Sequence, residues 1–509
     1  MGSSVVSAGT GGRAAAATGG AGAAAIGGGG AGAIASVPIG GMPSRAGSAG
    51  MVGAAGRAGA AGMMDVAGAP AAGSGGGMSA RVDEPQGPLF PANGARDVCP
   101  DVALHMHFSG KPTAGSSGKV SVFSGMTAGT PVATVDFAAG DSSKTIAGMQ
   151  IQVPRPVYVG DNEIIVRLPK ALDYGQHYYV TVDASAVKGP DGKALAITTP
   201  TDWQFDTLAA APSDKSNIQV SAVGSAPYCS VQGALDALPA RSDPPAMVTI
   251  AAGTYYETLR VTGKSNFTLH GADRKRTLIL GVNNNNMNAS TSTRSLVDIE
   301  NGKQVTLENL TIQNLTPQGG SQAEALRFNA CDQCMLRHAD VLSLQDTLMW
   351  GGKIYATDCY IAGNVDFIWG YGAAYFDQCE IKTVGRAGYV VQSRNDAGAF
   401  GYVFVDSKIT ADSGVSNVML GRIDVSQFPG SQVAYINCQM GSHIAPAGWT
   451  ITGGGAGPSL RFAEYMSTDA SGAALDVSRR VAGSMQLSAD AAQKLRDPAQ
   501  VLGGWTPPK

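Results

Sequence analysis

The sequence is poor in charge, in long apolar runs and in cysteine, and each shortage excludes a class of protein. Only 15% of the 509 residues are charged, and a net charge of −3 leaves no basic excess to neutralise the phosphates of a nucleic acid. No apolar run approaches the roughly 18 residues that a membrane-spanning helix needs, so we predict no such helix. Seven cysteines are too few for a disulfide-dense scaffold of this length.

Glycine is abundant instead, and together with alanine it dominates the start of the chain. Residues 1–80 contain no Phe, Tyr or Trp, so they have almost nothing large to bury in exchange for their ordering entropy. We predict that residues 1–85 form a disordered Gly/Ala-rich tether, either a spacer or a degenerate tail. No basic residue precedes Arg13 and no Leu-rich core follows, so this start is not typical of a secretory signal.

Between residues 88 and 208 the residue pattern changes to short strand-like runs. The runs alternate apolar and polar residues, with turn signals such as residues 188–192 (KGPDG) between them; they are residues 102–108, 119–123, 163–167, 178–182 and 203–205. This spacing predicts an antiparallel β-sandwich. Residues 177–192 (HYYVTVDASAVKGPDG) and 202–207 (DWQFDT) are similar to bacterial Ig-like modules, which implies a surface or secreted protein.

One strand of this module carries two histidines on the same face. His105 and His107 could hold a metal ion in principle, because residues two apart on a strand point the same way. No third ligand lies nearby in sequence. We therefore expect a solvent-facing pair and predict no metal site.

A second regularity begins beyond residue 208, where residues 208–225 are predicted to be a linker that leads into a domain from residue 214 to 509. Six segments place a small or apolar residue second and an aliphatic residue or Met fourth: 309–312 (NLTI), 338–341 (HADV), 358–361 (DCYI), 378–381 (QCEI), 406–409 (DSKI) and 437–440 (NCQM). Recurrence at intervals of 20 to 31 residues is typical of a solenoid of stacked coils. The short strand-like pattern favours a parallel β-helix, so the predicted fold class is all-β.

Stacking predicts which cysteines are neighbours. Cys359 and Cys379 share one position on adjacent coils, so their Cα atoms should be about 5 Å apart, within reach of a disulfide. We expect an oxidised pair if the protein is exported, and two buried thiols otherwise. Cys331 and Cys334 form a single CxxC, which without a second pair is a weak zinc signal.

The same register places two carboxylates together. Asp346 and Asp366 each lie seven positions after the second residue of a segment, so they should project from neighbouring coils about 5 Å apart at the backbone. Like charges this close are unfavourable unless one carboxyl group stays protonated. Such a pair supplies one acid and one ionised base or nucleophile, the alternative being a solvated pair on a loop edge.

The surrounding segments carry a specific resemblance. In chain order they are residues 253–257 (GTYYE), 322–326 (QAEAL), 345–348 (QDTL), 363–370 (GNVDFIWG), 420–422 (LGR), 443–449 (HIAPAGW) and 462–465 (FAEY). Together they resemble the signature blocks of the pectin methylesterase (pectinesterase) family over residues 214–480. The resemblance implies a right-handed parallel β-helix and an esterase that acts on the methyl esters of polygalacturonate.

The resemblance also implies roles for five residues. Asp366 would be the nucleophile, and Asp346 would protonate the departing methanol and then activate water. Gln322 and Gln345 would stabilise the oxyanion, although both could instead be ladder residues at the coil edge. Arg422 would orient the carboxylate of Asp366. No metal or cofactor is implied.

The sequence departs from the family pattern around the sugar site. Ile423 and Asp424 stand where the family has Pro-Trp, so a carboxylate replaces an apolar wall. Trp350 and Trp369 could restore part of that aromatic surface, or could simply pack under a loop.

A second pair of positions matches the family near the cleft. Gln392 and Arg394 stand where the family has a Gln…Arg pair, and we take both, with Asp424 and the two tryptophans, as candidate substrate-binding residues.

Three functions are compatible with these residues. The first is an exported pectinesterase, secreted or attached to the cell surface, whose partner is pectin; we expect a monomer with no nucleic-acid partner. The second is an esterase or thioesterase for another acyl group, which the missing Trp favours. The third is a non-catalytic polysaccharide-binding surface protein, against which the intact candidate catalytic residues argue.

Overall fold

The computed structural model describes residues 87–508, except residues 128, 225, 456 and 458 and the side chain of Trp350. The predicted tether, residues 1–85, lies outside the described residues. Two strand-rich parts follow one another along the described chain. None of the described helices has the length and hydropathy that crossing a bilayer requires.

The first part is built from short strands in two main sheets. In chain order the strands are β1 (Leu89–Phe90), β2 (Ala95–Val98), β3 (Ala103–His107), β4 (Thr113–Ala114), β5 (Lys119–Ser124), β6 (Ala133–Asp136), β7 (Ser142–Ile146), β8 (Met149–Val153), β9 (Val157–Val159), β10 (Glu163–Arg167), β11 (His177–Val182), β12 (Val187–Lys188) and β13 (Gln204–Thr207). The main sheets have the orders β1-β3-β10-β9 and β2-β13-β11-β5-β6, and the pairs β4–β12 and β7–β8 are separate ribbons. One buried core, which includes Leu104, Val180 and Trp203, joins the two sheets.

The five predicted runs all fall on strands of this part, namely β3, β5, β10, β11 and β13. Their alternation has a direct cause, because Leu104 and Met106 point into the core while the residues between them point away. The likeness to Ig-like modules stays a prediction.

The prediction for the histidines of β3 is wrong. His105 is only 4% exposed, so the two rings are not a solvent-facing pair. A third ligand candidate, Glu163 on the neighbouring strand β10, lies 3.0 Å from His105. Sequence proximity could not find Glu163, because strand pairing brings it across 58 residues.

The second part is a coil of parallel strands. Seventeen strands pair in one curled sheet: β14 (Asn217–Val220), β15 (Arg241–Ile250), β17 (Leu259–Thr262), β18 (Ser265–Gly271), β20 (Val297–Glu300), β21 (Lys303–Glu308), β23 (Leu326–Arg337), β25 (Leu348–Thr357), β27 (Val365–Gly370), β28 (Ala373–Asp377), β30 (Tyr389–Ser393), β31 (Tyr402–Val405), β33 (Met419–Asp424), β34 (Gln432–Ile436), β36 (Trp449–Thr452), β37 (Arg461–Tyr465) and β38 (Met485–Gln486). Eight more form a second sheet: β16 (Gly253–Tyr256), β19 (Thr277–Gly281), β22 (Thr311–Asn314), β24 (Asp340–Leu342), β26 (Tyr360–Gly363), β29 (Glu380–Thr383), β32 (Lys408–Ala411) and β35 (Gln439–Met440). Three short helices complete the described chain: α1 (Val231–Ala237), α2 (Ala489–Leu495) and α3 (Pro498–Val501). The predicted parallel β-helix is therefore confirmed.

The six repeated segments mark one corner of successive coils. Their fourth residues pair from coil to coil in a single ladder: Ile312, Val341, Ile361, Ile381, Ile409 and Met440. Their first residues all have a left-handed backbone, with φ between 47° and 56°: Asn309, His338, Asp358, Gln378, Asp406 and Asn437. Polar residues of this kind tolerate that conformation better than apolar ones, which explains the composition of the first position.

The expected disulfide between Cys359 and Cys379 is wrong, although the two residues do lie on adjacent coils. Both are buried free thiols. Each Sγ lies within hydrogen-bond distance of a backbone carbonyl, Leu336 for Cys359 and Ala356 for Cys379. The structure therefore has the alternative arrangement, two buried thiols in a core ladder.

The disulfide of the described chain instead joins the two parts. It links Cys99 to Cys229, with Cα atoms 5.7 Å apart and a sequence separation of 130. Beside it, the Asp101 carboxylate accepts hydrogen bonds from the amides of Cys229 and Ser230 and from the Ser230 hydroxyl, at 2.6 to 3.0 Å. The predicted linker is shorter than residues 208–225, because β14 already pairs with β15.

Candidate active site

Asp346 and Asp366 lie on consecutive coils at one position of the ladder. Leu348 of β25 pairs with Ile368 of β27, and the amide of Asp346 donates to the carbonyl of Val365 at 3.0 Å. Both aspartates have a left-handed backbone, with φ of 64° and 49°. Such conformations are costly for residues other than glycine and cluster at functional sites.

Arg422 of β33 holds the carboxylate of Asp366 with two hydrogen bonds. Its Nε donates to Oδ1 at 2.7 Å, and its Nη2 donates to Oδ2. A bidentate pair of this kind fixes both the position and the plane of the carboxylate. Burial raises the pKa of Asp366, and the bonds from Arg422 and the more distant charge of Arg394 oppose that rise.

Asp346 has a stronger tendency to keep its proton. Burial raises the pKa of Asp346 well above its ordinary value, and the carboxylates of Glu324 and Asp366 raise it further. Arg294 and Arg394 act in the opposite direction. The pKa values of the two aspartates are therefore driven apart, because the pKa of Asp346 is raised more strongly than that of Asp366, which Arg422 opposes.

Sequence reasoning missed Glu324 and Arg294. Glu324 lies one coil before Asp346, because the amides of Ala323 and Ala325 donate to the carbonyls of Gln345 and Thr347. Glu324 is fully buried. Glu324 stands in the QAEAL segment, where the coil register also places it beside Asp346.

Arg294 bridges the two carboxyl groups. Its guanidinium donates to both oxygens of Glu324, at 2.6 to 3.0 Å. The same Nη2 donates to Oδ2 of Asp346 at 3.0 Å. No motif pointed to Arg294, because it precedes β20 in a stretch of serines and threonines. Three stacked carboxyl groups thus have an arginine at either end.

Gln322 and Gln345 border this ladder on adjacent coils, since the Ala323 amide donates to the Gln345 carbonyl at 3.0 Å. Both side chains are half-buried. Oε1 of Gln322 accepts a hydrogen bond from Ser321 at 2.8 Å. Among the described residues neither amide NH₂ group has an acceptor, so both remain available to a ligand.

Three of the predicted substrate-binding residues come together, one on β27, one on β30 and one directly after β30. Trp369 pairs with Gln392 across neighbouring coils. The Arg394 guanidinium lies 4.6 Å from the Trp369 ring centre and donates to the Gln392 side chain. Tyr371 and Phe428, which the sequence did not suggest, each lie 5.7 Å from the same guanidinium. The result is an arginine set among three aromatic rings.

Two further predicted residues stand apart from this cluster. The backbone of Trp350 lies in β25, but its side chain is outside the described part of the chain. The carboxylate of Asp424 is occupied within its own turn, where it accepts hydrogen bonds from Ser426 and Gln427. The assignment of Asp424 to substrate binding stays a prediction, and a short polar residue at this position also caps a turn.

Comparison with known proteins identifies the family. The Pectinesterase family model matches residues 217–497. Pectinesterase 31 of Arabidopsis thaliana is 31% identical over 244 residues, covering 46% of this chain and 76% of that protein. Probable pectinesterase A of Aspergillus niger is 31% identical over 269 residues, covering 50% and 77% respectively. The structure of pectin methylesterase from carrot is 26% identical, covers 56% of this chain and 93% of its own, and superposes with a TM-score of 0.52. The chain with its buried ladder of Glu324, Asp346 and Asp366 belongs to the pectinesterase family.

Proposed function

We propose that this chain hydrolyses the methyl esters of pectin, releasing methanol and leaving free galacturonate carboxylates. The observation that carries the proposal is the difference between two neighbouring carboxyl groups. Asp366 is held by Arg422, and Asp346 is buried beside Glu324. The matched family supplies the substrate class.

In the first step Asp366 acts as the nucleophile. A carboxylate oxygen forms a bond to the ester carbonyl carbon, and the bond from that carbon to the methoxy oxygen breaks. Asp346 gives its proton to the departing oxygen, so methanol leaves and an acyl-enzyme remains. Arg422 keeps Asp366 ionised and correctly oriented for this attack.

In the second step the roles are reversed. Asp346, now ionised, takes a proton from water, and the resulting hydroxide oxygen bonds to the acyl carbon. The bond to Asp366 breaks, which regenerates its carboxylate and releases the free acid. Between the two proton transfers Asp346 is ionised, and the hydrogen bond from Arg294 stabilises its carboxylate.

Charge also develops on the carbonyl oxygen in both steps. The free NH₂ groups of Gln322 and Gln345 are the donors that we assign to it. Removing one such donor typically lowers the rate about 10²–10³-fold. We assign contacts with neighbouring sugar residues to Tyr371, whose ring is exposed, and to Arg394, whose charge attracts free carboxylates. Trp369 is buried and packs against the Arg394 guanidinium.

A second candidate is an esterase or thioesterase for a different acyl group. The observation in its favour is a departure from the family pattern. Ile423, which is buried, replaces the proline of the family, and Asp424 replaces the tryptophan that follows. A comparison of methyl-esterified pectin with acetylated polysaccharide and a thioester separates the two functions. A binding protein without activity gains nothing from a protonated acid beside an ionised carboxylate.

We further propose that the chain is secreted and acts as a monomer, with residues 88–208 as an Ig-like module. The Cys99–Cys229 disulfide supports an oxidising compartment, because structural disulfides persist there. Sedimentation of the purified protein tests the oligomeric state.

The decisive experiment measures methanol release from highly methylated pectin by the full chain. The full chain is needed because removing the first part would leave Cys229 without its partner. Asp366→Asn and Asp346→Asn should each abolish release. Asp358→Asn is the matched control, since Asp358 is an exposed aspartate that also has a left-handed backbone. Equal activity in all three variants, or none in a folded wild type, would refute the proposal.

A further inference from the structure

Three side chains from two paired strands converge on one face of the first part. Strands β3 and β10 are antiparallel neighbours, and Glu163 stands directly opposite His107. His105 is two residues away on β3, on the same face. These three residues are far from any predicted catalytic residue in sequence and have no part in the proposed reaction.

The distances between them suit a shared metal ion. Oε2 of Glu163 lies 3.0 Å from Nδ1 of His105 and 3.7 Å from Nδ1 of His107. One ligand atom from each residue lies within 4.8 Å of the others. Around a tetrahedral zinc ion with bonds of about 2.0–2.2 Å, neighbouring ligand atoms are about 3.3 Å apart, so small side-chain shifts would complete the arrangement.

Burial and packing hold the first histidine in place. The edge of the Phe90 ring packs against His105, with ring centres 5.6 Å apart. The two imidazole rings stack at an interplanar angle of 22°. A site whose ligands are already packed loses little side-chain freedom when an ion binds.

The second histidine supplies an independent observation. Nδ1 of His107 is too far from Glu163 for a hydrogen bond, and its Nε2 is buried with no partner among the described residues. Buried polar groups are nearly always satisfied, so an unpaired imidazole beside a histidine–carboxylate pair calls for a ligand. His177 shows the contrast: it bonds to Asp206 at 2.7 Å, with no second histidine there.

We propose that His105, His107 and Glu163 bind one divalent transition-metal ion, with Zn²⁺ as the leading candidate. Two imidazoles and a carboxylate suit zinc, whereas calcium and magnesium prefer oxygen ligands. The three side chains leave a fourth position open to water. The ion would cross-link strands β3 and β10. Both strands belong to the first part, which the Cys99–Cys229 disulfide links to the β-helix.

The test measures zinc uptake by the full chain, prepared without a histidine tag and stripped of metal. Equilibrium dialysis against zinc chloride, followed by elemental analysis, should give one zinc ion per chain. His107→Ala and Glu163→Gln should each lose that ion. His177→Ala is the matched control and should retain it.

A second measurement covers the case in which a variant folds poorly. Zinc should raise the melting temperature of the wild type and of His177→Ala, but not that of Glu163→Gln, which is nearly isosteric. No zinc uptake by the folded wild type, or uptake that survives both His107→Ala and Glu163→Gln, would overturn the proposal. Methanol release by the same samples reports separately on the esterase site.

Discussion

The amide of Asp346 donates a hydrogen bond to the residue that immediately precedes Asp366, so the two carboxyl groups are stacked on consecutive coils. Stacking forces them to share one environment, and their arginine partners then distinguish them. Arg422 binds the oxygens of Asp366 with two donors, whereas Arg294 divides its donors between Asp346 and Glu324. The asymmetry of the site is therefore built from side chains and not from the repeating backbone.

Replacing Arg422 with lysine should impair activity and shift its acidic limit. Arg422 lowers the pKa of Asp366 against the effect of burial, so its loss raises that pKa. A lysine keeps a positive charge but cannot reproduce the bidentate geometry. We expect the acidic limb of the kcat/KM profile to move to higher pH and the maximum to fall at least about tenfold.

The control for this change is Arg386→Lys, because Arg386 is exposed. Its profile should match that of the wild type. An Arg422→Lys enzyme with an unshifted acidic limb would contradict the role assigned to Arg422.

Replacing Glu324 with glutamine should shift the alkaline limit in the opposite direction. The groups that act on Asp346 are Glu324, Arg294, Asp366 and Arg394. Removing the Glu324 charge lowers the pKa of Asp346, so the proton donor is lost at lower pH. The alkaline limb of the pH profile should move to lower pH. Methanol release measured over a pH series tests this shift.

A matched variant separates this effect from damage to the fold. Glu308→Gln removes another buried, arginine-paired glutamate of the β-helix, which contacts Arg337. It should destabilise the protein without moving the alkaline limb. An unshifted limb in Glu324→Gln would show that Glu324 does not influence the acid.

Asp346→Asn should produce an inactive protein that is more stable than the wild type near neutral pH. The pKa of Asp346 is raised in the folded state, so its stabilising contribution is complete below the unfolded pKa of about 3.9. That contribution is lost as pH rises toward the folded pKa. The difference in melting temperature between variant and wild type should therefore grow from about pH 4 upward. A difference that is constant with pH would contradict the assignment.

Loss of the disulfide should destabilise the protein without removing activity. We expect Cys99→Ser/Cys229→Ser to unfold about 2–5 kcal/mol more easily, because the bond constrains the unfolded chain. The bonds from Asp101 to Ser230 keep the two parts in contact below the transition. Denaturant unfolding with and without reductant is the measurement. Reductant should destabilise the wild type and leave the double variant unchanged, and equal sensitivity would contradict the prediction.

The coil architecture was predictable because its signal is local and repeated. A buried aliphatic residue at the fourth position of each segment, such as Ile361 or Ile381, is visible in any single segment, and recurrence establishes the stacking. The same register was enough to place Asp346 beside Asp366. Each aspartate lies seven positions after the second residue of its segment, and this equal spacing keeps the two aspartates in register.

The partners that the sequence did not suggest lie across loops of variable length. Arg294 reaches Asp346 over 52 residues, and Glu163 reaches His105 over 58. Neither pair belongs to the repeated segments, so only folding brings the groups together. The turn at Asp424 is a separate case, because the side chain of this last residue of β33 accepts hydrogen bonds from the residues that follow it.

The cross-link between Cys99 and Cys229 also has a mechanical consequence. Tension applied to the chain ahead of residue 99 passes directly to residue 229 through the sulfur–sulfur bond. The residues between the two cysteines, which include β3, β5, β10, β11 and β13, lie outside that load path. If the start of the chain is anchored while the polymeric substrate is pulled, the strands between the two cysteines do not extend. The strands β1 and β2, which lie ahead of the cross-link, carry the load that reaches the coil with the carboxyl ladder.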